Sequence, residues 1–163
     1  MTKLAPKNIT VLVDSRKKTP FDLKPLRMVK STLQTGDYSI KGLEHLVAVE
    51  RKSLADLCGC VGRDRERFDR EMQRIMAFES RLLIIEATWA EIEAGKYRSK
   101  VHPNAVIGSL CSWAAKGMNV WLAGSHKEAQ VVCSKFLYTV ARRRWAEALN
   151  FIPNLKLASG GDS

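Results

Sequence analysis

A chain of 163 residues that is 45% hydrophobic, with ten glycines and five prolines, has the size of one ordinary globular domain with its own core and leaves no room for a second. Its formal net charge of +10 points to a polyanionic partner, because clustered Lys and Arg gain affinity for nucleic acid by releasing condensed counterions. No apolar run is long enough to span a bilayer and no cleavable leader opens the chain, so nucleic acid is expected rather than a membrane, with the cytoplasm as the compartment.

Ile9 to Asp14 (ITVLVD) reads as a short buried strand, and the polar, proline-containing stretch from Ser15 to Pro25 as a loop. Leu26 to Leu33 suits a second strand. Asp37 to Ile40, the turn-like Lys41-Gly42, and Leu46 to Lys52 together form an antiparallel hairpin. Helical signals then take over: Ser53 caps a short helix through Leu57, and Arg63 to Phe78 is a long amphipathic helix. A third apolar strand follows at Leu82 to Ala87. Thr88 caps a brief helix ending near Gly95, and Pro103 opens a helix that runs to about Lys116 and stops at Gly117. Val120 to Ala123 is the last strand, and Ser125 caps a final helix reaching about Leu149. The domain is thus expected over 1–150, with 151–163 as a C-terminal tail that is partly disordered, above all from Ser159 onward.

Several chemistries have no support. The glycines form neither a phosphate-cradling G-x-x-x-x-G-K-[ST] loop nor a dinucleotide G-x-G-x-x-G fingerprint, so no nucleotide cofactor is expected. Cys58, Cys60, Cys111 and Cys133 lack the paired spacing of a zinc site and read as reduced structural thiols, while His45, His102 and His126 lie far apart as surface or loop residues.

Glu50 and Lys52 are two apart on a predicted strand and project from one face, with Arg51 on the other. If the hairpin turn is centred between Gly42 and Leu43, Asp37 lies directly opposite Glu50, with Cβ atoms about 5 Å apart where like charges repel. Lys52 supplies part of the compensating charge, and Asp14 ends the first strand where the hairpin should meet it. Such an oxygen-rich notch suits Mg²⁺ or Mn²⁺, hard ions that prefer carboxylates and water. An ordinary cross-strand salt bridge on a surface hairpin is the competing explanation.

Gly36-Asp37, then Glu50-Arg51-Lys52, then Asp56 reproduce the pattern G-D…E-R-K-x-x-x-D. In this the chain resembles the XPF-type nuclease domain (excision-repair complementation group four), a branch of the restriction-endonuclease-like superfamily. Val13-Asp14-Ser15-Arg16 resembles that family's D-x-R-E motif, and Arg63 with Arg67-Phe68 its helix behind the active site. Lys17 departs from the pattern, standing where the family usually has Glu. The resemblance implies a three-layer α/β domain with a central mixed sheet flanked by helices. It implies a DNA endonuclease using Mg²⁺ or Mn²⁺, often selective for junctions between double and single strands, and a homodimer. Many members also carry a helix-hairpin-helix domain, for which this length leaves no room. A bacterial or phage origin would suit so lone a domain.

The catalytic set so implied is Asp14, Asp37, Glu50 and Lys52. The three carboxylates hold the ion, which lowers the pKa of a bound water, and Lys52 orients that water or neutralises charge on the phosphate. Arg16 is a candidate phosphate clamp, and Arg51 is expected to brace the strand, against Asp56. Arg63, Arg67, Arg70 and Arg74 recur at intervals that align them in one stripe, suited to tracking a DNA backbone or simply to a solvated face. Arg142-Arg143-Arg144 carries the same ambiguity. On the final helix Val131, Tyr138 and Trp145 form a second apolar seam, the expected dimer contact. The alternative to an enzyme is a non-catalytic DNA-binding protein that kept the fold.

Overall fold

The computed structural model describes residues 3–151. After a single turn of 3-10 helix at Pro6–Asn8, the strands are β1 (Thr10–Asp14), β2 (Arg27–Ser31), β3 (Tyr38–Ile40), β4 (Val47–Ser53), β5 (Ser80–Glu86) and β6 (Val120–Leu122). They form one mixed sheet in the order β2-β1-β3-β4-β5-β6. The neighbours β1 and β2, β4 and β5, and β5 and β6 run parallel, whereas β3 is antiparallel to both β1 and β4. The helices are α1 (Leu54–Val61), α2 (Arg65–Met76), α3 (Trp89–Glu93), α4 (Pro103–Ala115) and α5 (His126–Phe151).

Strand periodicity divides the apolar residues between two cores. Val11, Val13, Tyr38, Val49, Leu82 and Ile84 face α5, which inserts Ala129, Cys133, Leu137 and Val140. Ala48, Leu83 and Ile85 face the other way, onto Leu57 and Val61 of α1, Phe68, Met72 and Ile75 of α2, and Val106, Leu110 and Trp113 of α4. The expected three-layer arrangement with a central mixed sheet is therefore the one observed.

Where element ends differ from expectation, packing decides. α1 continues past Leu57 to Val61 despite Gly59, because Leu57, Cys58, Cys60 and Val61 are all buried, which outweighs the roughly 1 kcal/mol a mid-helix glycine costs. α2 begins two residues later than expected, leaving Arg63 in the preceding turn. Two residues of the expected dimer seam meet the N-terminal segment of the same chain: the Tyr138 hydroxyl donates to the Leu4 carbonyl (3.1 Å), and half-buried Trp145 lines a groove with Leu4 and Ile9. Val131 alone of the three stays exposed, beside exposed Trp121. All four cysteines are free, but Cys111 is exposed and not structural. The tail from 152 onward lies outside the described residues.

Tyr38 is completely buried, stacks on Phe21 (centroids 5.3 Å apart) and accepts a hydrogen bond from the Phe21 backbone N–H (2.9 Å). Its hydroxyl thus anchors the long β1–β2 loop. Tyr38→Phe would leave that buried N–H without a partner, a loss of about 1–3 kcal/mol. Urea unfolding should show a lower midpoint with an unchanged slope.

Candidate active site

The pairings β1–β3 and β3–β4 place the acidic residues in one row. Leu12 sits opposite Ser39 and Val13 opposite Tyr38, so Asp14 follows beside Asp37, whose carbonyl accepts the Asp14 N–H (2.9 Å). Tyr38 lies opposite Val49, the register that turn symmetry predicts, so Asp37 comes beside Glu50. Both neighbours of this row along each strand point to the opposite face. Gly36 makes the approach possible: its φ is +79°, and a Cβ there would lie 3.1 Å from the Val49 carbonyl oxygen. The glycine of the G-D pair is therefore a backbone requirement.

Each carboxylate has its own cation. Arg16 holds both oxygens of Asp14, with Nε to Oδ1 at 2.8 Å and Nη2 to Oδ2 at 2.7 Å. Backbone N–H groups of Arg16 and Leu33 also donate to Asp14. The Arg16 guanidinium beside Asp14 lowers its pKa to about 2, against the opposing effect of burial. Lys17 places Nζ 2.7 Å from Asp37 Oδ2, the oxygen that also accepts the Arg51 N–H (3.0 Å). Lys52 Nζ lies 2.5 Å from Glu50 Oε1 and 3.6 Å from Glu71 Oε2, above the Phe68 ring. Burial, then the charge of Asp37, pushes the Glu50 carboxyl well above its ordinary range, and Lys52 offsets this only in part. Burial alone would lower the Lys52 ammonium, but Glu50 and Glu71 hold it charged.

These groups open into a cavity of about 290 Å³ that Arg74, Gln34 and Thr35 also line. Four carboxylates and four cations therefore meet there: Asp14, Asp37, Glu50 and Glu71 with Arg16, Lys17, Lys52 and Arg74. Glu71 escaped sequence reasoning. It sits three residues before Arg74 on α2, but nothing local says that this face of the helix meets Lys52.

The remaining candidates separate. Arg51 does not brace against Asp56. It pairs with Glu86 on the opposite sheet face, donates to the Thr19 carbonyl (2.7 Å) and covers Phe21. Asp56 instead accepts from the Ser53 hydroxyl at the start of α1 (2.8 Å). The reason is alternation: Arg51 points away from α1. Arg67 and Arg70 are exposed along α2, and Arg74 ends that stripe at the cavity. Arg63 contributes only from the turn, where it contacts Asp64 at 3.6 Å. Arg143 and Arg144 are paired with Glu79 and Glu147, on the α5 side of the sheet.

Chemically, three carboxylates in a row are hard oxygen donors of the kind Mg²⁺ and Mn²⁺ take. Asp37 and Glu50 fit such an ion best, since buried Glu50 has only Lys52 to compensate it. Asp14 fits less well while Arg16 occupies both its oxygens. Among the described residues no three His, Cys, Asp or Glu groups are gathered closely enough to form a finished metal cage.

A mixed sheet sandwiched by helices, with an acidic row and a lysine at the point where β1, β3 and β4 meet, defines the restriction-endonuclease-like class. A family model, the ERCC4 domain, matches residues 10–136. The chain belongs to the ERCC4 domain family and is an XPF-type nuclease domain in its fold. XPF from Aeropyrum pernix matches with a TM-score of 0.67 at 18% identity, over 82% of this chain and 62% of that one. The same archaeal protein solved in complex with DNA matches with a TM-score of 0.66 at 18% identity, over 83% of this chain and 66% of that one. The chain thus spans a little under two thirds of the length of those proteins. No curated protein sequence matches it. Among the described residues no helix is long and apolar enough to cross a membrane.

Asp14 gives the site a measurable acid limit. A pKa depressed by folding contributes stability above the unfolded value of 3.8 and loses it as pH falls toward about 2. Arg16→Ala removes the main cause of that depression, so unfolding should begin at higher pH. At neutral pH the variant should be about 1 kcal/mol less stable, allowing for solvent around the exposed guanidinium. Circular dichroism during acid titration checks both effects.

Proposed function

We propose that the chain is a Mg²⁺- or Mn²⁺-dependent endodeoxyribonuclease that hydrolyses phosphodiester bonds, selecting fork, flap or junction DNA. The observation that carries this reading is the row Asp14–Asp37–Glu50 with Lys52 beside Glu50 in a cavity walled by arginine and lysine. The family match and the likeness to a DNA-bound relative support DNA as the substrate.

In this mechanism Asp37 and Glu50 would hold the divalent ion, with Asp14 as the third member of the row. When bound, the ion supplies Lewis acidity toward the phosphate and the attacking water. Lys52, kept charged by Glu50 and Glu71, neutralises negative charge building on the phosphate oxygens as the water attacks phosphorus and the P–O bond breaks. Arg74 and the exposed guanidinium of Arg16 receive the flanking phosphates, and Arg67 and Arg70 extend that track along α2. Arg51 positions the site from behind, through the loop that carries Lys17. A homodimer belongs to the same proposal, with Val131 and Trp121 as the exposed apolar residues for a second copy to cover.

One observation favours the non-catalytic alternative: Lys17 occupies Asp37 with an ammonium. Cleavage decides between the two. Labelled duplex, fork, flap and single-stranded DNA should be cut with Mg²⁺ or Mn²⁺ and spared with chelator. Asp37→Asn and Glu50→Gln should each lose at least about a hundredfold in rate while DNA binding changes less than about twofold. Binding without cleavage under every metal would make the chain a DNA-binding protein, and cleavage undiminished by chelator would refute the metal mechanism.

The arginine stripe has its own readout. Arg67→Ala with Arg70→Ala should weaken binding to all DNA sequences alike and reduce the slope of log affinity against log salt by about 1–2. An unchanged slope would make the stripe a solvated face.

A further inference from the structure

The sheet continues beyond the acidic row on the same face. Leu12 and Ser39, paired across β1 and β3, lie two residues along the strands from Asp14 and Asp37, a distance of about 7 Å. They floor a second cavity of about 400 Å³ that shares Gln34 and Thr35 with the first. Its rim carries His45 from the β3–β4 turn and Phe78 from the α2–β5 connection. The second cavity thus adjoins the acidic row along the same face of the sheet.

We propose that this second cavity receives the unpaired base of the nucleotide adjoining the scissile phosphate. The inference rests on the nuclease reading, because it takes the acidic row as the seat of that phosphate. The lining has the chemistry of a base and not of a phosphate. No Lys or Arg lines it, and its one carboxylate, Glu44, repels anions. Leu12, Leu33 and Phe78 offer apolar surface to a flat ring, and every base presents a π-face that such surface and aromatic edges accept whatever the sequence. Hydrogen-bonding groups surround that surface. The Ser39 hydroxyl donates to the Val47 carbonyl (2.7 Å) and keeps lone pairs for a donor, while the Gln34 amide and the His45 ring are exposed at the rim. A base still paired within a duplex cannot enter a groove in the protein without leaving its stack. The cavity therefore makes cleavage depend on an unpaired nucleotide beside the cut, which gives structure selectivity to this chain's own residues.

The test is a binding cycle, measured by fluorescence anisotropy at low ionic strength with chelator present so that nothing is cut. A fork DNA is scanned with a single abasic site at each unpaired position near the junction. For the wild type, one position should weaken binding by about tenfold, the scale of one stacked base. That loss should shrink below about twofold in Phe78→Ala and in His45→Ala, and both variants should bind fully paired duplex as the wild type does. Phe78 also packs against the α2 core, so His45→Ala, at an exposed position, keeps the test independent of folding. Abasic sites without effect anywhere, or a loss that persists in both variants, would overturn the base subsite. Failure of the nuclease reading would show differently, as DNA left uncut with Mg²⁺ or Mn²⁺ whatever the cycle reports.

Discussion

Mutual repulsion within one row of carboxylates governs the architecture around it. Asp14, Asp37 and Glu50 are brought side by side by strand register alone, and all three are buried. Like charges on adjacent strands destabilise a sheet unless something compensates them. Here the compensation comes from two different elements. Arg16 and Lys17 arrive on the loop leaving β1, Lys52 comes from β4 itself, and the row's net charge is thereby balanced before any ligand enters. Glu50 remains the least compensated member, because it is the most deeply enclosed and its carboxyl is pushed up by burial and by Asp37.

The Glu50-Arg51-Lys52 triplet serves both faces of the sheet. Alternation sends Glu50 and Lys52 into the cavity and Arg51 to the α5 side, where it joins Glu86, Thr19 and Phe21. Thr19 belongs to the β1–β2 loop, and so does Lys17. Arg51 therefore fixes from one face of the sheet a loop that delivers a cation to the other, while Tyr38 pins the same loop through Phe21. Packing on the α5 face thus governs geometry in the cavity without a direct contact between them.

What the sequence made legible follows from how far each interaction reaches along the chain. The hairpin register was readable because a short turn fixes it, and Tyr38 opposite Val49 is the pairing that turn symmetry predicts. The three-layer arrangement was readable through the family resemblance, while the division of apolar residues between two cores is seen in the structure. By contrast, Arg51 meeting Glu86 needs the parallel pairing of β4 with β5, and Glu71 meeting Lys52 needs the docking of α2 on the sheet; neither leaves a local trace. The same limit explains the final helix. Tyr138 and Trp145 read as a seam awaiting a second copy, but Tyr138 also meets Leu4, more than a hundred residues away, and the groove beside Trp145 is shared with that same segment.

Lys17 is the residue in which these lines meet. An ammonium 2.7 Å from Asp37 compensates the row with a compact, strongly hydrated charge on a flexible four-carbon stem. A glutamate at this position would add a further negative charge to the four carboxylates of the cavity, whereas lysine offsets the charge of Asp37. Under the proposed mechanism the cost would fall on metal affinity, since an ion entering at Asp37 would meet the Lys17 ammonium there. The same ammonium stands at the rim of a cavity into which DNA phosphates are proposed to enter, alongside Arg16 and Arg74. Under the proposed function the lysine would thus shift charge from the side of the site offered to a metal toward the side offered to phosphate, and would link ion entry to DNA entry.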